Sequence, residues 1–168
     1  MDLKNELKQY IEDNLIKFKL DFKIFKKLKC IIAEEDCCEE TLQSSSDINK
    51  YLEKEINSNN FQQLLFKYID KSNLKDSDIY NKVNIDRRLF SKIKNNKNYH
   101  PKKNTVILFA IALQLNLSDL ELLLESASYS LPKNNKFDLI IRFCFIKKIY
   151  DINVINDLLY DYNLKTLN

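Results

Sequence analysis

Apolar positions recur every three or four residues along almost the whole chain. Leu3, Leu7, Tyr10, Ile11, Leu15 and Phe18 form one such stripe, and the polar positions between them alternate in sign, which predicts an amphipathic helix to about Leu20. The next stretch, with "FKIFKKLKCII", suits a helix or a short strand pair, and we read a helix. "TLQSSSD" reads as a loop, Asp47 as the cap of a short helix "INKYLEKEI", and "NSNN" as a second break. From Phe61 the pattern is regular: Phe61, Leu64, Leu65, Tyr68 and Ile69 share one face. Asp76 is the expected cap of a helix that turns Ile79 and Val83 inward, and Asp86 the cap of one that buries Leu89, Phe90 and Ile93. After the polar loop "KNNKNYHPKK", Asn104 is expected to cap "TVILFAIALQL". That segment is apolar on most sides and should be the most buried helix. Asn116 should close it, Ser118 should cap "DLELLLESA", and Pro132 should end that unit. Two tail helices follow, "KFDLIIRFCFIKKIY" and "INVINDLLYDY". The expected fold class is all-α, with a helical N-terminal region over 1–60 and a bundle over 61–168.

Composition narrows the class. With 168 residues, 45% hydrophobic and 30% charged, the chain suits one ordinary core and a soluble globular protein. The longest apolar run, Val106 to Leu113, is far short of the roughly 20 residues that span a bilayer. The acidic, amphipathic N-terminus lacks the basic leader and apolar segment of a secretory signal, so a cytoplasmic location and no membrane partner are expected. Cys30, Cys37, Cys38 and Cys144 contain no CxxC pair, and the single His100 completes no familiar ligand spacing, so reduced thiols are expected rather than a metal site. His100 also lacks a second histidine or an arranged nucleophile, and a chain without glycine has no glycine loop to cradle phosphate. Neither an enzyme nor a cofactor is implied. The absence of glycine has a structural consequence too: asparagine is expected to take the left-handed positions at several helix ends.

Charge is unevenly spread. The net charge is +3, yet Asp86 to Lys103 holds seven bases and one acid, while Glu34 to Glu40, "EEDCCEE", carries −5. A local basic field attracts polyanions even on a nearly neutral protein. Within the basic stretch, Asn84 between Val83 and Ile85 suits the tight turn of a helix-turn-helix, with Ile79, Phe90 and Ile93 as the shared core. The second helix then projects Arg87, Arg88, Ser91, Lys92 and Asn95 outward. These are the side-chain types that base edges and phosphates accept.

The segment "DSDIYNKVNIDRRLFSKIKNNKNYHPKKNTVILFAIALQLNLSDLELLLESA" resembles the Cro/phage-repressor (XRE-like) helix-turn-helix domain. Asn84 stands at the turn glycine, Phe90 and Ile93 at the two buried apolar positions, and Pro101 at the loop proline. Ala110 to Leu120 follows the fourth helix and its closure. The likeness covers about Phe61 to Ala127. "NIDRRLFSKI", "KFDLIIRF" and "YDINVINDLLYDY" also resemble bacterial C-terminal modules appended to varied N-terminal regions, including macrodomains. Tyr80 replaces the small alanine of repressors, a bulk that should widen or tilt the helix pair, and Lys94 replaces the usual acid.

The resemblance implies a repressor-like bundle with extra N- and C-terminal helices, and a DNA-binding transcription regulator of a phage or mobile element. Its expected nucleic-acid-binding set is Arg87, Arg88, Ser91, Lys92, Lys94, Asn95, Lys97, Lys102 and Lys103, acting on double-stranded DNA. The alternative is a protein–protein interaction on the same fold, for example a phage-encoded, anti-CRISPR-like inhibitor of a host RNA-guided nuclease or other defence complex. The tail positions Phe137, Leu139, Ile140, Phe143, Phe145, Ile149 and Tyr150 carry more apolar surface than one face needs, so they should wrap the core or form a homodimer seam.

Overall fold

A computed structural model describes residues 2–32, 60–96 and 99–167, with side chains on the first span as far as residue 26. The expected loop at Thr41–Asp47, the helix capped by Asp47, the acidic "EEDCCEE" and Cys37 and Cys38 lie outside the described residues. The described residues are helical and contain no strand. In chain order they form α1 (Leu3–Ile32), α2 (Phe61–Ser72), α3 (Asp76–Lys82), α4 (Arg87–Asn95), α5 (Lys103–Ala112), α6 (Leu117–Ser126), α7 (Lys136–Ile146) and α8 (Ile152–Asp161).

The apolar α5 is central: every residue from Val106 to Ala112 is buried. It packs on α3 and α6; α6 also meets α2 and α7, and α7 meets α8 and α1. The stretch left open between helix and strand continues α1 as a single helix of 30 residues. Only its first half joins the core. Leu7 and Ile11 are buried, and Tyr10 lies with its ring 5.4 Å from that of Phe143 on α7. Two ion pairs clasp that half: Lys4 to Asp161 at 2.8 Å and Lys147 to Glu6 at 2.5 Å. The hydrogen bond and charge of Lys147 hold Glu6 below the usual carboxylate range, and Asp161 holds Lys4 above the usual lysine value. The tail surface is spent within the protein, since Leu139, Ile140, Phe143 and Phe145 are buried and Phe137, Ile149 and Tyr150 pack against the same core.

Most of the described helix ends follow one device. Among the described residues, six non-glycine residues adopt positive φ near +50 to +60°: Asn73, Asn84, Gln114, Ser128, Lys148 and Asn163. Five of these carry a matched pair of closing hydrogen bonds. At Gln114, for example, its N–H donates to the Ile111 carbonyl at 3.1 Å and the next N–H, of Leu115, to the Ala110 carbonyl at 3.0 Å. The residue after the left-handed one is apolar each time (Ile85, Leu115, Tyr129, Ile149, Leu164) and folds back over the helix end, as a Schellman closure requires. Asparagine fills three of the six positions, as the missing glycine suggests; Gln, Ser and Lys fill the rest.

Three expected caps are displaced. Asp76 is the first helical residue after Lys75 and makes no cap bond. Asn104 lies inside α5, where its amide donates to the Thr166 and Leu167 carbonyls at 3.5 and 3.4 Å. Gln114, not Asn116, closes α5, and Asn116 rather than Ser118 caps α6 by accepting from the Asp119 N–H at 2.8 Å. α6 ends at Ser126, before Pro132 is reached, because Ser128 has already turned left-handed.

Exposed Lys148 adopts a conformation that costs a non-glycine residue about 1 kcal/mol, so Lys148→Gly should stabilise the protein by about that amount, read as a higher urea midpoint at unchanged slope. A second expectation concerns alkaline pH. Burial pushes the Cys144 thiol up to about 12, and burial with the hydrogen bond to Asp119 pushes the Tyr68 hydroxyl up to about 12. Acids raised on folding stabilise below their unfolded pKa, about 8.5 for Cys and 10 for Tyr, and that contribution fades as pH climbs through the folded value. The urea midpoint should therefore fall from about pH 9 upward, and Tyr68→Phe should flatten the upper part of the decline.

Candidate nucleic-acid interface

The site begins at the turn between α3 and α4. Val83 and Ile85 are buried on either side of Asn84, whose φ is 52°. The Ile85 N–H closes back on the Tyr80 carbonyl at 2.9 Å. Asp86 then caps α4, its carboxylate accepting from the Arg88 N–H at 2.7 Å. With the turn and the cap set, the inner face of α4 is fixed. Phe90 and Ile93 are buried, and the Phe90 ring sits 6.0 Å from Phe66, 5.7 Å from Tyr80 and 6.0 Å from Phe109. Tyr80, the bulky residue of the helix pair, thus packs half-buried on the ring that anchors α4.

The outer face carries the expected residues. Arg87, Arg88, Ser91, Lys92 and Asn95 are exposed and line one shallow, open depression with Asn96. Among the described residues neither arginine is paired with an acid. Asn95 donates to the Ser91 hydroxyl at 3.2 Å, and the Lys92 ammonium lies 5.0 Å from the centre of the Tyr99 ring. Tyr99 is half-buried, so it props Lys92 while leaving the ammonium exposed.

Two expected lysines are engaged elsewhere. Lys94 bonds Asp76 at 2.8 Å and lies 5.8 Å from the Phe66 ring centre, tying the end of α4 to the start of α3. Lys103 reaches inward to Asp138 on α7 at 2.5 Å; that carboxylate is only 1% exposed. Lys103 is therefore a structural cation, not one presented to phosphates. Lys102 stays exposed at the start of α5, and Lys97 lies outside the described residues. His100 is also exposed, its ring 5.3 Å from Tyr129. Of the seven bases between Asp86 and Lys103, those described as exposed and without an acid partner among the described residues are Arg87, Arg88, Lys92 and Lys102.

Sequence reasoning missed two contributors. Gln62 on α2 donates to the Lys94 carbonyl at 2.5 Å and so secures the last turn of α4. Asp138 was not singled out, although an acid inside the apolar run "KFDLIIRF" signals a buried partner. A groove beside the depression is lined by Leu74, Asp76, Tyr80, Arg87, Phe90 and Lys94 among others, so Arg87 borders both concavities. Among the described residues no group of His, Cys, Asp or Glu is placed to hold a metal, and no helix is long and apolar enough to cross a membrane. In comparison with known proteins, the chain matches no family model, no curated protein and no solved structure.

The two ion pairs should respond differently to mutation. Asp138→Asn leaves Lys103 facing an uncharged partner in a buried setting and should destabilise by about 3 kcal/mol. Asp76→Ala breaks an exposed pair and should cost below about 1 kcal/mol. Urea denaturation of both variants checks the order, and an equal loss would contradict it.

Proposed function

We propose that this chain binds double-stranded DNA through α4, as a helix-turn-helix regulator of the phage-repressor kind. One observation carries the reading: a single short helix, capped, anchored through Phe90 and tied at its end by Gln62, turns two arginines that pair with no acid among the described residues, a serine, a lysine and an asparagine to solvent on one face. Buried anchoring makes such a face rigid, and a rigid face loses little entropy when it docks. Arginine and asparagine offer bidentate bonds to guanine and adenine in the major groove, while Lys92 and Lys102 are suited to phosphates. Lys103 drops out of the contact set proposed from the sequence, because it already neutralises the buried Asp138, whereas the exposed Lys94 is shared with Asp76.

A second reading draws on the groove that adjoins Arg87. Leu74 is 40% exposed there, and Tyr80 and Phe90 contribute to its lining, a mixture that suits a protein side chain better than a phosphate backbone. On this reading the same helix recognises a protein, such as a component of a host defence complex.

Duplex binding measured against salt separates the two. About four outward cations predict a slope of log K against log[salt] near −3 to −4, with clear binding at about 50 mM salt. Arg87→Ala with Arg88→Ala should abolish the shift, whereas Asp76→Ala, which releases Lys94, should not weaken it. Absence of duplex binding at low salt would sink the DNA reading.

A further inference from the structure

The groove beside the depression shares two residues of α4 with it, Arg87 and Ser91. A phosphate backbone laid along the outer face of α4 and past these two residues therefore runs into the groove. Two acids line it, Asp70 in the last turn of α2 and Asp76 at the start of α3. Asp76 also holds the Lys94 ammonium at 2.8 Å. We propose that Asp76 is a built-in competitor for phosphate: its carboxylate occupies Lys94 as a phosphate oxygen would, and so restrains the affinity of the α4 face for duplex DNA. The inference rests on the DNA reading and names the residue that regulates that face.

Lys94 does not depend on Asp76 for its place. Gln62 secures its backbone by donating to the Lys94 carbonyl, and its ammonium lies 5.8 Å from the centre of the half-buried Phe66 ring. The carboxylate therefore adds an acceptor to a cation that is already positioned. That acceptor is easily exchanged. The side chains of Lys94 and Asp76 are 53% and 42% exposed, and an ion pair in water is weakly held. Lys103 makes the contrast: its acceptor Asp138 is buried, and drawing the lysine away would strand a charge in the core.

Asp76 restrains the face in two ways. While the pair is intact Lys94 contributes no net charge, and both groove acids repel an entering phosphate. Neutralising Asp76 removes both effects at once. Neutralising Asp70, which makes no ion pair among the described residues, lifts repulsion only. Salt separates the two. A released cation that takes up a phosphate displaces one more counterion and steepens the salt dependence, whereas weaker repulsion mainly shifts the affinity.

Binding of the full chain to a duplex of mixed sequence, titrated from about 50 to about 300 mM salt, tests the proposal. Asp76→Asn should tighten binding about fivefold at about 100 mM salt and steepen the slope of log K against log[salt] by about one. Asp76→Ala, a second neutral variant, should match it, with the circular dichroism of the wild type. Asp70→Asn should tighten binding less and leave the slope unchanged. In a Lys94→Ala background, Asp76→Asn should no longer steepen the slope. Neutral variants with wild-type affinity and slope, or a steepening that persists without Lys94, would overturn the restraint. If wild-type binding then still requires Arg87 and Arg88, the DNA reading stands. No duplex binding by either the wild type or Asp76→Asn at about 50 mM salt would overturn both.

Discussion

Every turn in this protein must be made without glycine, and the helix-end closure that solves this problem organises the rest. A left-handed residue with a side chain costs about 1 kcal/mol and persists only where its surroundings over-determine it. The surroundings here are the two closing hydrogen bonds and the apolar residue that follows. That residue packs against the core in all five closures, so these helix ends are stitched into it rather than left at the surface. Leu115 and Ile85 are the clearest cases, both buried one position beyond an exposed Gln114 or Asn84. The direction in which one helix leaves the previous one is thereby set by a hydrophobic contact. At the α3–α4 turn this makes the aim of α4 a property of the core, because Ile85 and Phe90 anchor it from both sides of the Asp86 cap.

The same logic explains what was legible in the sequence. Apolar periodicity located the described helices and the inner faces of α4 and α5, since burial depends on spacing that a linear reading can see. Caps were less legible. Asp76, Asn104 and Ser118 are all good capping types standing near helix starts, yet each was displaced because its side chain or a neighbour had a better partner. Asp76 serves Lys94, Asn104 reaches the carbonyls of the C-terminal segment, and Asn116 outcompetes Ser118 for the Asp119 N–H. Such choices are settled by residues distant in sequence, which single-strand pattern reading cannot weigh.

The candidate site shows the same boundary. The residues of α4 were readable, because the turn and the core positions fix which side faces out. The lysines were not separable by sequence: Lys92, Lys94, Lys102 and Lys103 differ little in local context. Their partners divide them. Tyr99 holds Lys92 outward, Asp76 takes Lys94 across a helix junction, and Asp138 draws Lys103 into the interior. Desolvating Asp138 without a cation would cost several kcal/mol, so the core dictates where Lys103 goes before any ligand can compete for it.

Counting charge along the chain therefore overstates the field of the basic loop and understates its order. Of the described bases, Arg87, Arg88, Lys92 and Lys102 are exposed without an acid partner, and Lys92 lies beside the Tyr99 ring. The turn at Asn84 is thus more than a connector: by seating Ile85 in the core it sets the direction in which α4 leaves, and with it the side on which Arg87 and Arg88 stand.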